Sequence, residues 1–328
     1  MSLAQTFQQF NQVKVLIIGD VMLDSYVWGS VERISPEAPV PIVAVKKRDT
    51  RLGGAANVAL NVQALGAKPI LVALKGHDEA SKKFSAILAE QAMTGHGMVT
   101  SATRPTTVKT RIIASHQHVV RVDEESDKVP TPAEEDQLIE KINQLLPMCQ
   151  VVVFEDYDKG VLNEKIIAHA INLANQHGIP TVVDPKKRNF LAYRGVTLFK
   201  PNLKEMREGL KIDLDAGNFD QLKKGVAALK DRLHPQGVLA TLSEHGIYID
   251  YQNETNHLAA HAHEIADVSG AGDTVVSVAA LAVAAKMKPR DIAALCNLAG
   301  GLVCQHVGVV PINKEELLRE AQMLGIGH

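Results

Sequence analysis

The chain has 328 residues, of which 46% are hydrophobic and 22% charged, and its formal net charge is −2. This composition is typical of a globular protein long enough for one large α/β domain, and the small net charge excludes general attraction to nucleic acid or to an anionic membrane. The three cysteines form no C-x-x-C pair, the N-terminus lacks a signal pattern, and no apolar run approaches the ~20 residues of a membrane helix. We therefore expect a cytoplasmic protein.

Apolar runs bounded by turn residues alternate with stretches of helical periodicity along the chain. The apolar runs predict buried parallel strands over residues 13–19, 69–74, 151–154, 181–184, 197–200 and 237–242. The other stretches predict helices over residues 57–65, 79–91, 133–146, 163–177, 203–208, 219–233, 271–285, 290–305 and 314–323. This alternation indicates an α/β fold with a doubly wound, mostly parallel sheet flanked by helices, in which ligands bind at the carboxyl ends of the strands.

Two segments depart from the alternation of strands and helices. Residues 25–47 are rich in valine, proline and charge, and residues 106–123 alternate between apolar and polar side chains. Both patterns predict antiparallel strands outside the main sheet. Because no linker or internal repeat separates them from the rest, we expect a single domain over residues 1–328 with these strands as an excursion from it.

A glycine-rich turn with the sequence DVSGAGD, at residues 267–273, carries the strongest chemical signal. Gly270, Ala271 and Gly272 open a helix, where free backbone N–H groups and the helix dipole together bind anions. Asp273 follows at once and could accept the proton of a hydroxyl beside a bound phosphate. The motif thus indicates phosphoryl transfer to an alcohol, although a plain helix start with Asp273 as a capping residue also accounts for it.

Polar and small residues near the first strand indicate a sugar site. The adjacent Gly53 and Gly54 would let a ligand approach the backbone, and Asn57 offers a donor and an acceptor to a sugar hydroxyl. Asp20 and Asp24 follow the first strand at the edge where ligands bind, and carboxylates there accept hydrogen bonds from vicinal hydroxyls. Ordinary turn roles explain each of these residues as well.

Together the two glycine motifs resemble those of the ribokinase/PfkB family of carbohydrate kinases, in order and in separation, over nearly the whole chain. The resemblance implies a ribokinase-like fold with a small β-strand lid, ATP as phosphoryl donor and Mg²⁺ as cofactor. Residues 19–26 (GDVMLDSY) and 33–41 (RISPEAPVP) resemble one branch of that family, the kinases of D-glycero-β-D-manno-heptose 7-phosphate. That branch implies phosphorylation of the anomeric 1-hydroxyl to the 1,7-bisphosphate, on the route to ADP-heptose and lipopolysaccharide cores.

Two other functions are compatible with the motifs. One is a kinase for another sugar or sugar phosphate of the same family, against which the ISPEAPVP run argues. The other is a sensor that binds a sugar phosphate without turnover. The intact Asp273 and its Gly-Ala-Gly turn argue against the sensor.

The resemblance also assigns a nucleotide and metal side. Asn202 and Glu205 match an Asn-x-x-Glu motif that supports Mg²⁺ on the nucleotide phosphates, with Glu205 acting through water. The same spacing is that of a capping box, and both roles can hold at once.

Further family positions lie in the C-terminal third. The positions for a nucleotide loop are Thr241, Ser243 and Gly246, and the position on an adenine-packing helix is Asn297. Asp267 and Ser269, with the loop 304–308, match the site of a monovalent cation such as K⁺. A core role for Asn297 and a turn-organising role for Asp267 fit equally well.

A phosphorylated acceptor needs cations, for which the candidates are Arg33, Lys109, Arg111, Arg121, Lys159 and Lys186. Lys109 and Arg111 are two residues apart in a predicted strand and so share a face, as a solvated strand face would also require. Lys186, and Asp158 with Lys159, stand in loops that match the heptose kinases, although Lys187 replaces a glycine common in the wider family. The family's lid further implies a homodimer through the lid strands.

Overall fold

The computed structural model describes residues 2–114, 117–260 and 265–327. Its strands are β1 (Lys14–Gly19), β2 (Val21–Ile34), β3 (Pro41–Gly54), β4 (Lys68–Lys75), β5 (Met98–Thr100), β6 (Thr107–Ala114), β7 (Gln117–Glu124), β8 (Val151–Glu155), β9 (Thr181–Asp184), β10 (Leu198–Phe199), β11 (Gly237–Thr241), β12 (Ile247–Tyr251) and β13 (Glu254–Leu258). Its α-helices are α1 (Leu3–Gln9), α2 (Ala55–Ala64), α3 (Glu79–Glu90), α4 (Pro132–Leu145), α5 (Glu164–Gln176), α6 (Leu203–Leu210), α7 (Phe219–Leu233), α8 (Ala271–Ala284), α9 (Pro289–Val303) and α10 (Lys314–Met323).

Over the described residues, nine strands form a large sheet in the order β13-β12-β11-β10-β9-β8-β1-β4-β5. The strands from β11 to β5 pair in parallel, and β12 and β13 add an antiparallel edge. This confirms the predicted doubly wound, mostly parallel sheet. The chain reverses its winding direction between β1 and β8, so a crevice opens at the carboxyl ends of these two strands.

The central strands hold the two faces of the sheet together. In β1, Val15 and Ile17 pack into one apolar layer and Leu16 and Ile18 into the other, all fully buried. Helices α2, α8 and α9 cover the first face, and α4, α5 and α7 cover the second. Each such side chain contributes about 1.5–3 kcal/mol on burial, so the continuous apolar runs fix these strands at the centre.

Among the described residues, a second sheet contains four strands in the order β3-β2-β6-β7, and we call this sheet the lid. β2 and β3 pair in an antiparallel ladder that continues to Val21 and Gly54, beyond both ends of the predicted segment 25–47. The β6–β7 pair is antiparallel as predicted, but β2 and β6 are parallel, which corrects the expectation of antiparallel strands throughout. They are parallel because β4 and α3 carry the chain back between β3 and β6.

Several short elements were not predicted. They are α1, β5, β12 and β13. Helix α1 is polar in composition, but a capping box between Ser2 and Gln5 starts it, and Leu3 and Phe7 bury its one apolar side. Within the described ranges, none of the helices is both long and apolar enough to cross a membrane.

Candidate active site

Asp273 lies in the first turn of α8, at the crevice, and is 5% exposed. The Asn57 amide donates to its Oδ2 (2.7 Å), and the Tyr157 hydroxyl donates to its Oδ1 (2.8 Å). Burial raises the pKa of Asp273 to about 6, although these two hydrogen bonds act in the opposite direction. A carboxylate with a pKa near neutrality and a fixed orientation is suited to accept a proton from an attacking hydroxyl.

The turn before α8 depends on glycine. Gly270 caps the helix with a φ of 80°, and a Cβ there would come within 3.1 Å of the Asn57 amide nitrogen. The N–H group of Ala271 donates to the carbonyl of Val268 (3.3 Å), so this predicted contributor to the anion site is already engaged. The N–H groups of Gly272 and Asp273 precede the first intrahelical hydrogen bond, from Thr274 to Gly270 (3.0 Å), and so have no intrahelical acceptor. N–H groups in this position can bind an anion.

Asp20 lies at the end of β1 and is 1% exposed. Its Oδ2 accepts hydrogen bonds from the backbone N–H groups of Tyr157 (2.9 Å) and Lys159 (3.0 Å), and its Oδ1 accepts one from Val161 (3.0 Å). Burial and the neighbouring Asp156 raise the pKa of Asp20 to about 6, against these three bonds. The carboxylate therefore shapes the loop after β8, and its predicted role as a ligand of a sugar hydroxyl stays a prediction.

Close packing against Asp20 and Asp24 explains the glycine pair at the end of β3. A Cβ on Gly53 would collide with the Asp24 carboxylate, and one on Gly54, whose φ is 58°, would collide with the backbone carbonyl of Asp20. Asp24 in turn is 4% exposed and forms an ion pair with Arg111. The two glycines thus let β3 approach Asp20 and Asp24 closely, a role that does not require the ligand that the sequence predicted there.

Buried charges line the ends of β8, β9 and β10. Lys200 Nζ lies 2.8 Å from Asp184 Oδ2, and Lys186 Nζ lies 2.7 Å from Glu205 Oε1. Asp184 Oδ1 and both carboxylate oxygens of Glu155 are buried without a hydrogen-bond partner among the described residues. Burial and the nearby Asp184 raise the pKa of Glu155 well above its usual value. Sequence reasoning missed Glu155 and Lys200, because each reads as part of a buried strand end.

The capping role considered for Asn202 and Glu205 is confirmed, and the Mg²⁺ role stays a prediction. Asn202 Oδ1 accepts the Glu205 N–H, and Glu205 Oε2 accepts the Asn202 N–H, each at 2.8 Å, which confirms the capping box. The other Glu205 oxygen holds Lys186, and burial raises the pKa of Glu205. In the part of the chain described, no three His, Cys, Asp or Glu side chains converge as a metal site. The carboxylates here fit Mg²⁺ that keeps mostly water and phosphate oxygens as ligands.

A cavity of about 560 Å³ opens beside the turn before α8. Its volume is in the range of small-molecule and nucleotide sites. Five of the six residues predicted on the nucleotide side line it, namely Asn202, Thr241, Ser243, Gly246 and Asn297, whereas Glu205 does not. The Asn297 amide donates to the Ala259 carbonyl (2.7 Å), so this residue also fixes the cavity wall.

Asp267 joins two loops at the mouth of this cavity. Its Oδ1 accepts the Ser269 N–H (2.9 Å) and its Oδ2 accepts the Gly308 N–H (2.9 Å). Its own N–H donates to the Cys304 carbonyl (3.1 Å). These contacts support the turn-organising role, and they bring Asp267 and Ser269 to the loop 304–308 as the resemblance implied.

The predicted phosphate-binding cations are mostly paired with carboxylates. Lys109 contacts Asp123 (3.1 Å) and Glu125 (2.7 Å), and Lys159 contacts Glu125 (2.7 Å). Arg121, whose side chain is 59% exposed, contacts Asp123 (3.0 Å). These residues gather at the root of the lid, near the loop that Asp20 shapes.

Arg33 lies apart from these cations, whereas Asp158 directly precedes Lys159 in the loop after β8. Arg33 is exposed and lies nine residues beyond Asp24 along β2, roughly 30 Å away in an extended strand, so it does not reach the crevice of its own chain. Asp158 adopts a φ of 55° in the loop after β8, where its N–H donates to Asp156 Oδ1 (2.8 Å). It therefore contributes to the shape of this loop.

Tyr157 is the functional residue that sequence reasoning missed most clearly. It lies in the loop DYDKG (residues 156–160), which resembles that of the heptose kinases, but the sequence alone indicates no role for it. The hydroxyl contacts Asp273, and the ring lies 5.4 Å from Lys186 Nζ. Only the fold brings these residues together, since 116 positions separate Tyr157 from Asp273.

Comparisons with known proteins agree with this geometry. Residues 12–316 match the pfkB family carbohydrate kinases. The chain is 40% identical over 318 residues to the bifunctional protein HldE of Caulobacter sp. (strain K31), covering 97% of this chain but only 64% of that protein. It is also 40% identical to the D-beta-D-heptose 7-phosphate kinase of Bordetella bronchiseptica, over 96% of this chain and 98% of that protein.

Solved structures share the fold at lower identity. Phosphofructokinase-2 from Escherichia coli in complex with potassium has a TM-score of 0.78 at 17% identity, over 95% of this chain and 99% of that one. Arabidopsis thaliana ribokinase complexed with ribose and ATP has a TM-score of 0.73 at 18% identity, over 94% and 99%. The fold, the carboxylate at the start of α8 and the family match lead to one conclusion: the chain belongs to the pfkB family of carbohydrate kinases, phosphotransferases with an alcohol acceptor.

Proposed function

We propose that this protein is an ATP-dependent kinase of D-glycero-β-D-manno-heptose 7-phosphate that phosphorylates the anomeric 1-hydroxyl and yields the 1,7-bisphosphate. The observation that carries the proposal is Asp273, fixed by two hydrogen bonds beside a helix start that can bind an anion. The similarity to a Bordetella protein named as a heptose 7-phosphate kinase supports the choice of acceptor.

In this proposal the residues at the start of α8 divide the work. Asp273 accepts the proton of the sugar's 1-hydroxyl while the oxygen of that hydroxyl forms a bond to the γ-phosphorus of ATP. At the same time the bond between this phosphorus and the β,γ-bridging oxygen breaks, and ADP leaves. The N–H groups that begin with Gly272 stabilise the negative charge of the transferring group. ATP occupies the cavity of about 560 Å³, with Asn202, Thr241, Ser243, Gly246 and Asn297 around it.

The cofactors follow from the carboxylates of the site. Mg²⁺ would lie near Glu205 and the buried, unpartnered Asp184 Oδ1, mainly on water and phosphate oxygens, where it offsets phosphate charge. A K⁺ ion would lie by Asp267 and Ser269 at the loop 304–308, and the support for it is that a structurally similar kinase was solved in complex with potassium.

A second copy of the chain is the proposed partner of the lid. Several apolar side chains on the lid are exposed, among them Val45 (48%), Val120 (48%) and Val122 (47%). Exposed apolar side chains gathered on one small sheet favour an interface. We expect a homodimer through the lid, detectable by analytical ultracentrifugation and lost when these valines are changed to serine.

The reaction belongs, in this proposal, to cytoplasmic synthesis of ADP-heptose for lipopolysaccharide cores. An adenylyl transfer to the 1-phosphate must follow at some stage. A kinase for another sugar phosphate of the family remains the second candidate function, because the acceptor site contains paired charges that any phosphorylated sugar could engage.

The test is ADP release from Mg·ATP with heptose 7-phosphate, fructose 6-phosphate, ribose and a control without sugar. Rapid turnover with heptose 7-phosphate alone is the expected result. Turnover with another acceptor in its place would overturn the substrate and keep the kinase. Binding of a sugar phosphate without any turnover would favour the sensor.

A further inference from the structure

A single carboxylate bridges two lysines at the root of the lid. The Glu125 oxygens lie 2.7 Å from Lys109 Nζ and 2.7 Å from Lys159 Nζ. The two lysine side chains are only 13% and 17% exposed, whereas that of Glu125 is 28% exposed. Two ammonium groups that converge on one anion form the arrangement that a phosphate group would also need.

The three residues belong to segments that the fold constrains to different degrees. Lys109 lies within β6, between paired neighbours on both sides. The backbone N–H of Lys159 is held by Asp20. Glu125, in contrast, is the first residue after β7, whose last ladder pair is Val108 with Glu124. The lysines are therefore fixed in place, while Glu125 can turn away without breaking any ladder hydrogen bond.

The charges of this cluster match a phosphate better than a carboxylate. Lys109, Lys159 and Arg121 carry three positive charges, and Asp123 and Glu125 carry two negative ones. With Glu125 displaced, the balance is two positive charges, which complements the charge of about −1.5 to −2 that a phosphate monoester carries at neutral pH.

The other candidate cations are less suitable. Arg111 is neutralised by Asp24, whose side chain is 6% exposed, and Lys186 is held by Glu205 on the nucleotide side.

We propose that Lys109 and Lys159 form the binding site for the acceptor's own phosphate group, and that Glu125 occupies this site until the acceptor displaces it. This inference rests on the proposed function and narrows the acceptor to phosphorylated sugars. An uncharged sugar cannot replace Glu125, so it meets a closed site. Glu125 is then a specificity-determining residue that acts by competition.

The test is calorimetric binding of inorganic phosphate to the full chain, with a non-hydrolysable ATP analogue and Mg²⁺ filling the nucleotide cavity. Glu125→Gln removes the competing charge and should tighten phosphate binding roughly threefold to tenfold, in line with two partly exposed ion pairs. The gain should vanish in the Lys109→Met background, because the site itself is then lost. Glu124→Gln, one residue earlier and exposed, is the matched control and should change nothing.

Weaker or unchanged phosphate binding in Glu125→Gln would overturn the inference, because Glu125 would then be holding the lysines in place and not competing for them. A melting temperature equal to that of the wild type excludes a folding defect as the cause. Heptose 7-phosphate is titrated separately. If it fails to bind while inorganic phosphate still responds to Glu125→Gln, the proposed acceptor is wrong and the phosphate site stands.

Discussion

Two regions of the molecule each hold a carboxylate in place, but with different donors. The base region consists of Asp273 with Asn57 and Tyr157, and the lid root consists of Glu125 with Lys109 and Lys159. Asp273 is 5% exposed and is held by the amide of the fully buried Asn57 and the phenol of the half-buried Tyr157, both neutral donors. The Glu125 side chain is 28% exposed and is held by the ammonium groups of two lysines. Partly exposed ion pairs contribute about 0–1 kcal/mol each, so they exchange readily for another anion.

This difference separates two tasks of a kinase. The group that moves a proton must be preorganised, because reorientation during the reaction would raise the barrier. The groups that recognise the acceptor must release whatever they hold when the acceptor arrives. Asp20 lies between the two regions, since the loop it shapes carries both Tyr157 and Lys159.

Asp273→Asn breaks the base region most directly. We expect kcat to fall by about 10²–10⁴, because the proton acceptor is lost while the hydrogen-bonded geometry is largely kept. ATP binding, measured by calorimetry, should be unchanged. Asp220→Asn is the control, since Asp220 also lies in the first turn of a helix, α7, but is exposed. Near-normal turnover in Asp273→Asn would exclude Asp273 as the base.

Asp20→Ala tests the junction between the regions. Three backbone N–H groups, of which that of Val161 is buried and the other two are part-buried, would lose their acceptor, so we expect the free energy of unfolding to fall by about 3 kcal/mol in urea denaturation. Turnover should fall as well, because the loop then no longer positions Tyr157 and Lys159. Normal stability with a higher KM for the acceptor would instead support the role of sugar-hydroxyl ligand predicted from sequence.

Tyr157→Phe sharpens the comparison through pH. Asp273 must be ionised to act, so kcat/KM should fall as the pH drops through about 6. The Tyr157 hydroxyl lowers the pKa of Asp273, and its removal therefore moves this acid limb to higher pH. We expect kcat to decrease by about tenfold through lost positioning.

Other charged groups also surround Asp273, including Glu155, Asp184, Lys186 and Lys200. The substitution Tyr157→Phe, and the control Tyr193→Phe, leave these side chains in place. Tyr193→Phe is the control, because the fully buried Tyr193 also donates its hydroxyl to a carboxylate, but to that of Asp156 (2.7 Å) and not to Asp273. Its acid limb should coincide with that of the wild type. Equal shifts in both variants would mean that the limb reports general loosening of the fold.

Arg33→Ala should have the smallest effect. Because Arg33 is exposed and roughly 30 Å from Asp24 along β2, we expect less than about a twofold change in KM for the phosphorylated acceptor. A larger increase would indicate that Arg33 reaches the site of a second copy of the chain. Ultracentrifugation of the same variant would then show whether the assembly itself had changed.

The sequence predicted the centre of the fold because one local pattern decides it. β1 and β8 are continuous apolar runs, and such runs can only be buried between two layers of helices. The cavity wall was predicted for a similar reason, since glycine-rich turns and helix caps are local signals. Elements with no such signal, among them β5 and β13, escaped prediction.

The partners of charged side chains could not be predicted in this way. Asp24 and Arg111 are 87 residues apart, and Asp20 and Val161 are 141 apart. Asp20, Asp24 and Arg111 were each interpreted as a ligand for substrate, because nothing local indicated which group of the protein itself would pair with them. The same holds for Tyr157, whose hydroxyl acquires a role only when β8 and α8 meet.

The distance along the chain between the groups around Asp273 has a consequence during synthesis. Asn57 and Asp273 are 216 residues apart, so at about 5–20 residues per second roughly 10–40 s pass between the emergence of the two from the ribosome. During that interval α2 has no α8 to pack against, and the apolar face it later buries is exposed. The group around Asp273 can therefore assemble only after the last third of the chain has been made.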